Sequence, residues 1–211
     1  MKDYIRVNQK AYNVAAEEYA ERSGEYEDRD KELIAPFVDY LKNSFQHARV
    51  LELGPGSGLA LKIFTANGFE TTAIEVAEKI IDVARQVSPN TDFIHDDFLS
   101  HNFNKQVFDG VFAKAFIHLF PKQDAIEVLN KIHSLMPAGG ALFLATTVHE
   151  SSSEGFEEKT DYDTSPVRFR KKWTSDELHQ ALANKWEIIE ENYNEERNKT
   201  WLALTLIKRT Q

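Results

Sequence analysis

The stretch Val50-Leu51-Glu52-Leu53-Gly54-Pro55-Gly56-Ser57-Gly58-Leu59-Ala60 constrains the chain most. Val50 to Leu53 is an apolar run that predicts the end of a buried strand. It leads into three glycines at alternate positions, and a helical pattern begins near Leu59. Such a backbone must turn sharply, and glycine lets it do so while a ligand approaches closely. A helix N-terminus adds unsatisfied N–H groups and positive potential. Strand, glycine turn and helix together predict a nucleotide-type site around which the fold is built.

The pattern before that stretch is helical. Residues 4–22 place Ile5, Tyr12, Ala15, Ala16 and Tyr19 on one stripe, with Ser23-Gly24 as a stop. Leu33, Ile34, Phe37, Val38 and Leu41 give a second helix, in which Pro36 predicts a kink or a broken start. After strand one (49–53) come a helix through Leu59, Ala60, Ile63 and Phe64, strand two at Thr71–Glu75, and a short helix at Ala77–Val87. Strand three is Phe93–His95, strand four Phe108–Ala113 and strand five Ala141–Thr147. Between the last two, Pro121 opens a helix through Ile126, Leu129, Ile132 and Leu135. Strands alternating with helices predict a parallel sheet covered on both faces.

Beyond His149 the chain changes character. Residues 150–165 are polar and acidic and predict a mobile loop or lid. Thr174-Ser175-Asp176-Glu177 is a capping-box signature that opens a helix through Leu178, Ala181 and Leu182. Two strand-like runs, about 186–193 and 200–208, are joined by the polar residues Asn194 to Asn198, which predicts an antiparallel hairpin.

Composition limits the function classes. The 211 residues suit one domain, and the net charge of −9 offers no general electrostatic footprint for nucleic acid. The absence of cysteine excludes a disulfide framework, a thiolate metal site and a cysteine nucleophile. No run of about 18 apolar residues occurs and the N-terminus has no apolar signal core, so a cytoplasmic protein with no membrane partner is expected.

In an open α/β sheet, ligands bind outside the carboxyl ends of the strands. Three candidate segments fall there: the glycine turn, Glu75 at the end of strand two, and Asp96-Asp97-Phe98 after strand three. Glu75 lies 21 positions beyond Gly54, where an acidic residue can accept hydrogen bonds from both ribose hydroxyls. A carboxylate at Asp96 or Asp97 can accept from an adenine amino group, and Phe98 can cover the ring. Each segment has a plain structural explanation as a tight corner, a helix-start charge or a capping residue. Their joint order is far more specific than any one of them.

These residues, with Phe108-Asp109-Gly110-Val111 and Leu135-Met136-Pro137-Ala138-Gly139-Gly140, resemble the class I S-adenosylmethionine-dependent methyltransferases of the small bacterial type over about 45–147. The resemblance implies an α/β, doubly wound, mostly parallel seven-stranded sheet with an antiparallel last strand. Residues 1–44 would form an N-terminal helical cap on a methyltransferase domain of residues 45–211. It implies that Glu52 and the turn of Gly54, Pro55, Gly56 and Gly58 face the methionine part of the cofactor. Glu75, with Val76, would hold the ribose; Asp96, Asp97 and Phe98 would hold the adenine. Tyr12 and Tyr19 lie on the N-terminal helix, which in such enzymes often closes over the cofactor. Lys114, where the family mostly carries a neutral residue, is a further candidate for the cofactor set; it can also contact an anionic substrate or point to solvent. A nicotinamide-dependent oxidoreductase fits less well, because its fingerprint is G-x-G-x-x-G and position 59 here is Leu.

Methyl transfer from a sulfonium needs alignment more than covalent help, and no metal. The chain has no [Asp/Asn]-Pro-Pro-aromatic motif after strand four, which the family uses for amino groups on bases or glutamine. That and the acidic charge favour a small-molecule acceptor over nucleic acid. A non-catalytic binding protein and a protein or nucleic-acid methyltransferase are the alternatives, and either a monomer or a homodimer is compatible. His118 and His149 are the candidate catalytic residues, each with a structural alternative. Arg168-Phe169-Arg170-Lys171-Lys172-Trp173 is the one basic run. Arg168, Arg170 and Trp173 are candidates for a carboxylate or phosphate clamp at the substrate mouth, although the run can also pair with the acidic stretch before it or stay solvated.

Overall fold

A computed structural model describes residues 1–23, 27–160, 163–196 and 198–209. Three helices come first: α1 (Asp3–Val14), α2 (Ala16–Ser23) and α3 (Glu27–Ser44). There follow β1 (Arg49–Leu53), α4 (Leu59–Ala66), β2 (Glu70–Glu75), α5 (Glu78–Val87), β3 (Asp92–His95), β4 (Gly110–Lys114), α6 (Lys122–Ser134) and β5 (Ala141–Val148). The chain ends with β6 (Ser153–Glu158), β7 (Val167–Lys172), α7 (Ser175–Leu182), β8 (Trp186–Glu196) and β9 (Lys199–Lys208).

Seven strands form one sheet in the order β3-β2-β1-β4-β5-β9-β8. The pairs among β1 to β5 are parallel, whereas β9 runs antiparallel between β5 and β8. The order reverses between β1 and β4, so the carboxyl ends of these two strands flank the crevice where a ligand fits. Alternate residues of the central strands go to opposite faces. Leu51, Leu53, Val111, Ala113, Leu142 and Leu144 join the core under α6 and α7. Val50, Phe112, Phe143 and Ala145 join the other core, with Phe37 and Leu41 of α3 and Phe64 of α4. Phe112 and Phe143 stack there with centroids 4.6 Å apart. Burying each such ring stabilises the fold by ~1.5–3 kcal/mol, so this double-sided burial holds the strand ends in place.

The structure departs from the sequence expectations in four places. The first helix is two: the chain bends at Ala15, where Ala15 and Ala16 are both buried. Ala16 packs with Ala77 and Ile80 around α5, and its small side chain permits that close approach. Gly24, expected to share the stop with Ser23, lies outside the described residues. Pro36 falls within α3, whose start is at Glu27, so it does not mark a broken start. The third departure is the acidic stretch expected as a lid. Its Ser153–Glu158 segment is β6, paired antiparallel with β7 in a second, two-stranded sheet. The fourth is the basic run, which is β7 rather than a solvated loop, with Arg168, Phe169, Arg170 and Lys171 all buried; its pairing with the acidic stretch before it is one of the expected alternatives. Polar residues hid the strand pattern, because the two strands offset each other's charges. The capping box at Thr174 and Glu177 and the antiparallel β8–β9 hairpin stand as expected.

Candidate cofactor and acceptor site

A cleft opens at the carboxyl ends of β1, β2, β3 and β4 and is roofed by α1 and α2. It encloses about 760 Å³ counting its open mouth, within the range of small-molecule sites. Its floor is the glycine turn. The Gly54 amide donates to Ile74 O (3.0 Å) and the Gly58 amide to Pro55 O (2.8 Å), which ties the turn to β2 and closes it on itself. Gly56 and Gly58 hold φ of 54° and 82°, a region L side chains rarely adopt. They serve different neighbours. A Cβ on Gly58 would lie 2.8 Å from Ala84 O, so this glycine lets α5 pack against the start of α4. A Cβ on Gly56 would lie 2.9 Å from the Tyr19 ring, at the cleft itself. Gly54 and Gly56 line the cleft; Pro55, Gly58 and Glu52 do not. Glu52 is buried within β1 and by strand alternation shares the sheet face of Val50.

Glu75 ends β2 on the cleft wall. Its Oε1 accepts from the Ala77 amide at 2.7 Å, so the helix-start role and the place in the cleft coexist. Its carboxyl pKa is pushed up to about 7, chiefly by burial, against the lowering effect of the Ala77 and Val76 amides. Val76, Asp96, Asp97 and Phe98 line the same wall. Asp97 is the buried one of the acidic pair, and its carboxylate accepts from the Leu99 amide (3.0 Å) and Ser100 Oγ (3.1 Å). Asp96 is more open, and the hydrogen bond from His101 (2.9 Å) holds its carboxyl below the usual range. Phe98 is nearly all core, packed edge-on to Phe116 at 6.1 Å with Lys131 Nζ 5.2 Å from its centroid.

Lys114 ends β4 and lines the cleft, followed by Ala115 and Phe116. Ala115 holds φ 57°, an uncommon conformation for alanine that turns the chain at the cleft wall. Opposite stand Tyr12 and Tyr19, their rings 6.5 Å apart and edge to face. Asn8, Ala115 and Phe116 were not among the expected residues. Asn8 had a sequence signal, a polar side chain on the Ile5–Tyr12 stripe, and it is buried. It accepts from the Phe169 amide (2.7 Å) and donates to Leu119 O (3.2 Å), joining α1 to β7.

The other expected residues form a second group behind this one. His118, in a single helical turn at Ile117–Leu119, is buried, with Nδ1 3.2 Å from Thr146 Oγ1. Burial, followed by the charges of Arg168, Arg170 and Lys159, drives its pKa well below the ordinary value, so it is neutral at pH 7. His149 is half-buried beside Thr147 Oγ1 (3.3 Å), and burial lowers its pKa too. Arg168 donates to the Tyr12 hydroxyl (3.1 Å) and Arg170 to Thr147 Oγ1 (2.6 Å). Trp173 is fully enclosed in the core, with Lys171 Nζ 4.8 Å from its ring centroid, and takes no part in the cleft wall. Tyr12 is the link: it lines the cleft on one side and meets Arg168 on the other.

A doubly wound sheet with a glycine turn after β1, an acidic residue ending β2, and β9 inserted antiparallel beside β5 defines the architecture of the class I S-adenosylmethionine-dependent methyltransferases. The sequence agrees: residues 50–140 match the family described as the methyltransferase domain. A biotin biosynthesis bifunctional protein of Cellvibrio japonicus is 24% identical over 113 residues, which are 53% of this chain and 22% of that protein. The match thus spans about a fifth of that relative's length. Among solved structures, the 1,6-didemethyltoxoflavin-N1-methyltransferase of Burkholderia thailandensis, bound to 1,6-didemethyltoxoflavin and S-adenosylhomocysteine, superposes with a TM-score of 0.71. It is 17% identical, and the match covers 99% of this chain and 90% of that one. The magnesium protoporphyrin IX methyltransferase of Synechocystis PCC 6803, bound to S-adenosylmethionine, gives 0.72 at 14% identity, covering 100% and 99%.

Proposed function

We propose that the protein is an S-adenosylmethionine-dependent methyltransferase acting on a small-molecule acceptor. The carrying observation is that Gly54, Gly56, Glu75, Asp96, Asp97 and Phe98, scattered over three strand ends, line one cleft. The fit is chemical as well as spatial. The turn brings its backbone to the cleft at Gly54 and Gly56, where Phe116 and Tyr19 lie against it, and the N-terminus of α4 has no side-chain cap on its free N–H groups. In this reading the turn holds the methionine part. Glu75 accepts from the ribose hydroxyls, with Val76 beside it, and Asp96, Asp97 and Phe98 surround the adenine.

S-Adenosylmethionine supplies an activated methyl group on a sulfonium, open to in-line displacement. The protein's part is to align the two reactants and exclude water. Tyr12, Tyr19 and Phe116 form the apolar surround from opposite walls, and Lys114 stands at the rim of β4. The acidic net charge and the roof of α1 and α2 support a small acceptor rather than a macromolecule. So do the small acceptors named for the toxoflavin and protoporphyrin methyltransferases. Among the described residues no helix is long and apolar enough to cross a membrane.

The test is to incubate the protein with S-adenosylmethionine and a broad panel of small molecules, and to follow S-adenosylhomocysteine by mass spectrometry. Acceptor-dependent formation of S-adenosylhomocysteine is expected. Turnover on proteins or RNA, with none on small molecules, overturns the acceptor class.

A further inference from the structure

The cluster behind the cleft has a chemistry of its own. β7 carries Arg168 and Arg170 two residues apart, so both point to one face of the small sheet. In the register of that sheet Glu157 lies opposite Arg168. Lys159, just past β6, is buried too, and its amide is tied to Pro166 O at 3.0 Å. These are expensive groups to place out of water, and a chain of net charge −9 has no general need of buried cations.

Glu157 is shared: Arg170 reaches it at 3.4 Å and Lys172 at 3.4 Å. Arg170 spends one terminal nitrogen on Thr147 Oγ1, while its buried Nε has no acceptor among the described residues. Its pKa is lowered by burial first and by the like charge of Arg168 second. The strongest charges felt by His118 are also positive. Two guanidiniums on one face of β7, with Thr147 Oγ1 against Arg170 and the neutral His118 feeling both charges, are the kind of groups that recognise an oxyanion. The place adjoins the cleft through the Tyr12 hydroxyl, which Arg168 contacts at 3.1 Å.

We infer that the methyl acceptor carries an oxyanion group, a carboxylate or a phosphate or phosphonate, and that Arg168 and Arg170 hold it on the far side of Tyr12 from the glycine turn. This rests on the methyltransferase reading and deepens it by naming the acceptor's chemistry. Arg168 and Arg170 act as specificity residues, and the hairpin β6–β7 exists to carry them. His118 is their neutral neighbour, and its protonation is opposed until an anion arrives.

The experiment is calorimetry on the full chain saturated with S-adenosylhomocysteine. The probes are benzoate, phenylphosphonate, phenyl phosphate and the neutral benzamide. Binding of one or more of the anions, with benzamide at least tenfold weaker, is expected; carboxylate against phosphonate and phosphate preference identifies the source of the oxyanion. Arg168→Gln and Arg170→Gln should each weaken the anion at least tenfold and leave S-adenosylhomocysteine affinity within about threefold. Arg168→Lys should recover part of the loss. Thermal unfolding of each variant shows whether it is folded, and the wild-type probe series stands without them. If S-adenosylhomocysteine binds but benzamide equals or exceeds every anion, the acceptor inference is overturned and the cofactor reading survives. If S-adenosylhomocysteine itself does not bind, the cofactor reading has failed.

Discussion

The two halves of the crevice are built by different means. The half at the ends of β1, β2 and β3 is assembled from short, local segments: a glycine turn, one glutamate, one Asp-Asp-Phe run. The half beyond Tyr12 is assembled from side chains on a separate two-stranded sheet, docked onto α1 through Asn8 and Phe169. In the proposed reading the first half recognises its ligand largely with backbone and a few fixed carboxylates. The second would do so with Arg168 and Arg170, whose partners Tyr12, Thr147 and Glu157 come from α1, β5 and β6. A site of the first kind is written in consecutive residues, and one of the second kind exists only after folding.

The contrast can be broken at either half, and the expected effects fall in a clear order. Gly58→Ala should cost most, ~3 kcal/mol of unfolding free energy by urea titration. It forces a side chain into a left-handed position and against Ala84 O. The loss should be global, because α4 and α5 must separate.

Glu75→Gln should weaken S-adenosylhomocysteine by roughly 10- to 100-fold at pH 8, the range for losing charge-assisted hydrogen bonds. It should also make the unliganded protein more stable at pH 8 and leave it nearly unchanged at pH 5. The sign follows from linkage. The folded carboxyl titrates near 7, above its ordinary 4.5, so the folded state keeps a proton that the unfolded state has lost. Wild-type stability therefore falls as pH rises from about 4.5 to 7, and glutamine removes that fall. Thermal unfolding at the two pH values checks it.

Asn8→Ala should cost ~1–3 kcal/mol, since it leaves the buried Phe169 amide without its acceptor. Because the bond ties β7 to α1, hydrogen exchange should quicken at Phe169 more than in β1 or β2. Lys172→Ala should be the mildest, within ~0.5 kcal/mol. Its ion pair with Glu157 is at the surface, and Arg170 also reaches that carboxylate.

The same contrast explains what was legible beforehand. β1 to β5, the helices between them and the terminal hairpin follow periodicity and punctuation in the sequence, and the structure bears them out. The strand order, with β9 between β5 and β8, came through family resemblance rather than periodicity. β6 and β7 were missed because period-2 alternation was written in charges. Glu157, Arg168 and Arg170 occupy one face, and on the other the apolar Phe156, Val167 and Phe169 alternate with Glu154, Glu158 and Lys171. Ala115 and Phe116 were missed because nothing local in Lys114-Ala115-Phe116 signals a turn with positive φ at alanine. Gly58 was assigned to the ligand, although its space is taken by α5. The glycine motif thus packs against α5 at Gly58 and lines the cleft at Gly54 and Gly56, and only a structure separates the two.

Calorimetry with S-adenosylhomocysteine, on the wild type and on Glu75→Ala, tests the cofactor cleft most directly. The account predicts one site of micromolar affinity in the wild type and at least tenfold weaker binding in the variant, with the variant still folded. No heat of binding to the wild type at millimolar ligand, or equal affinity in both proteins, would contradict it.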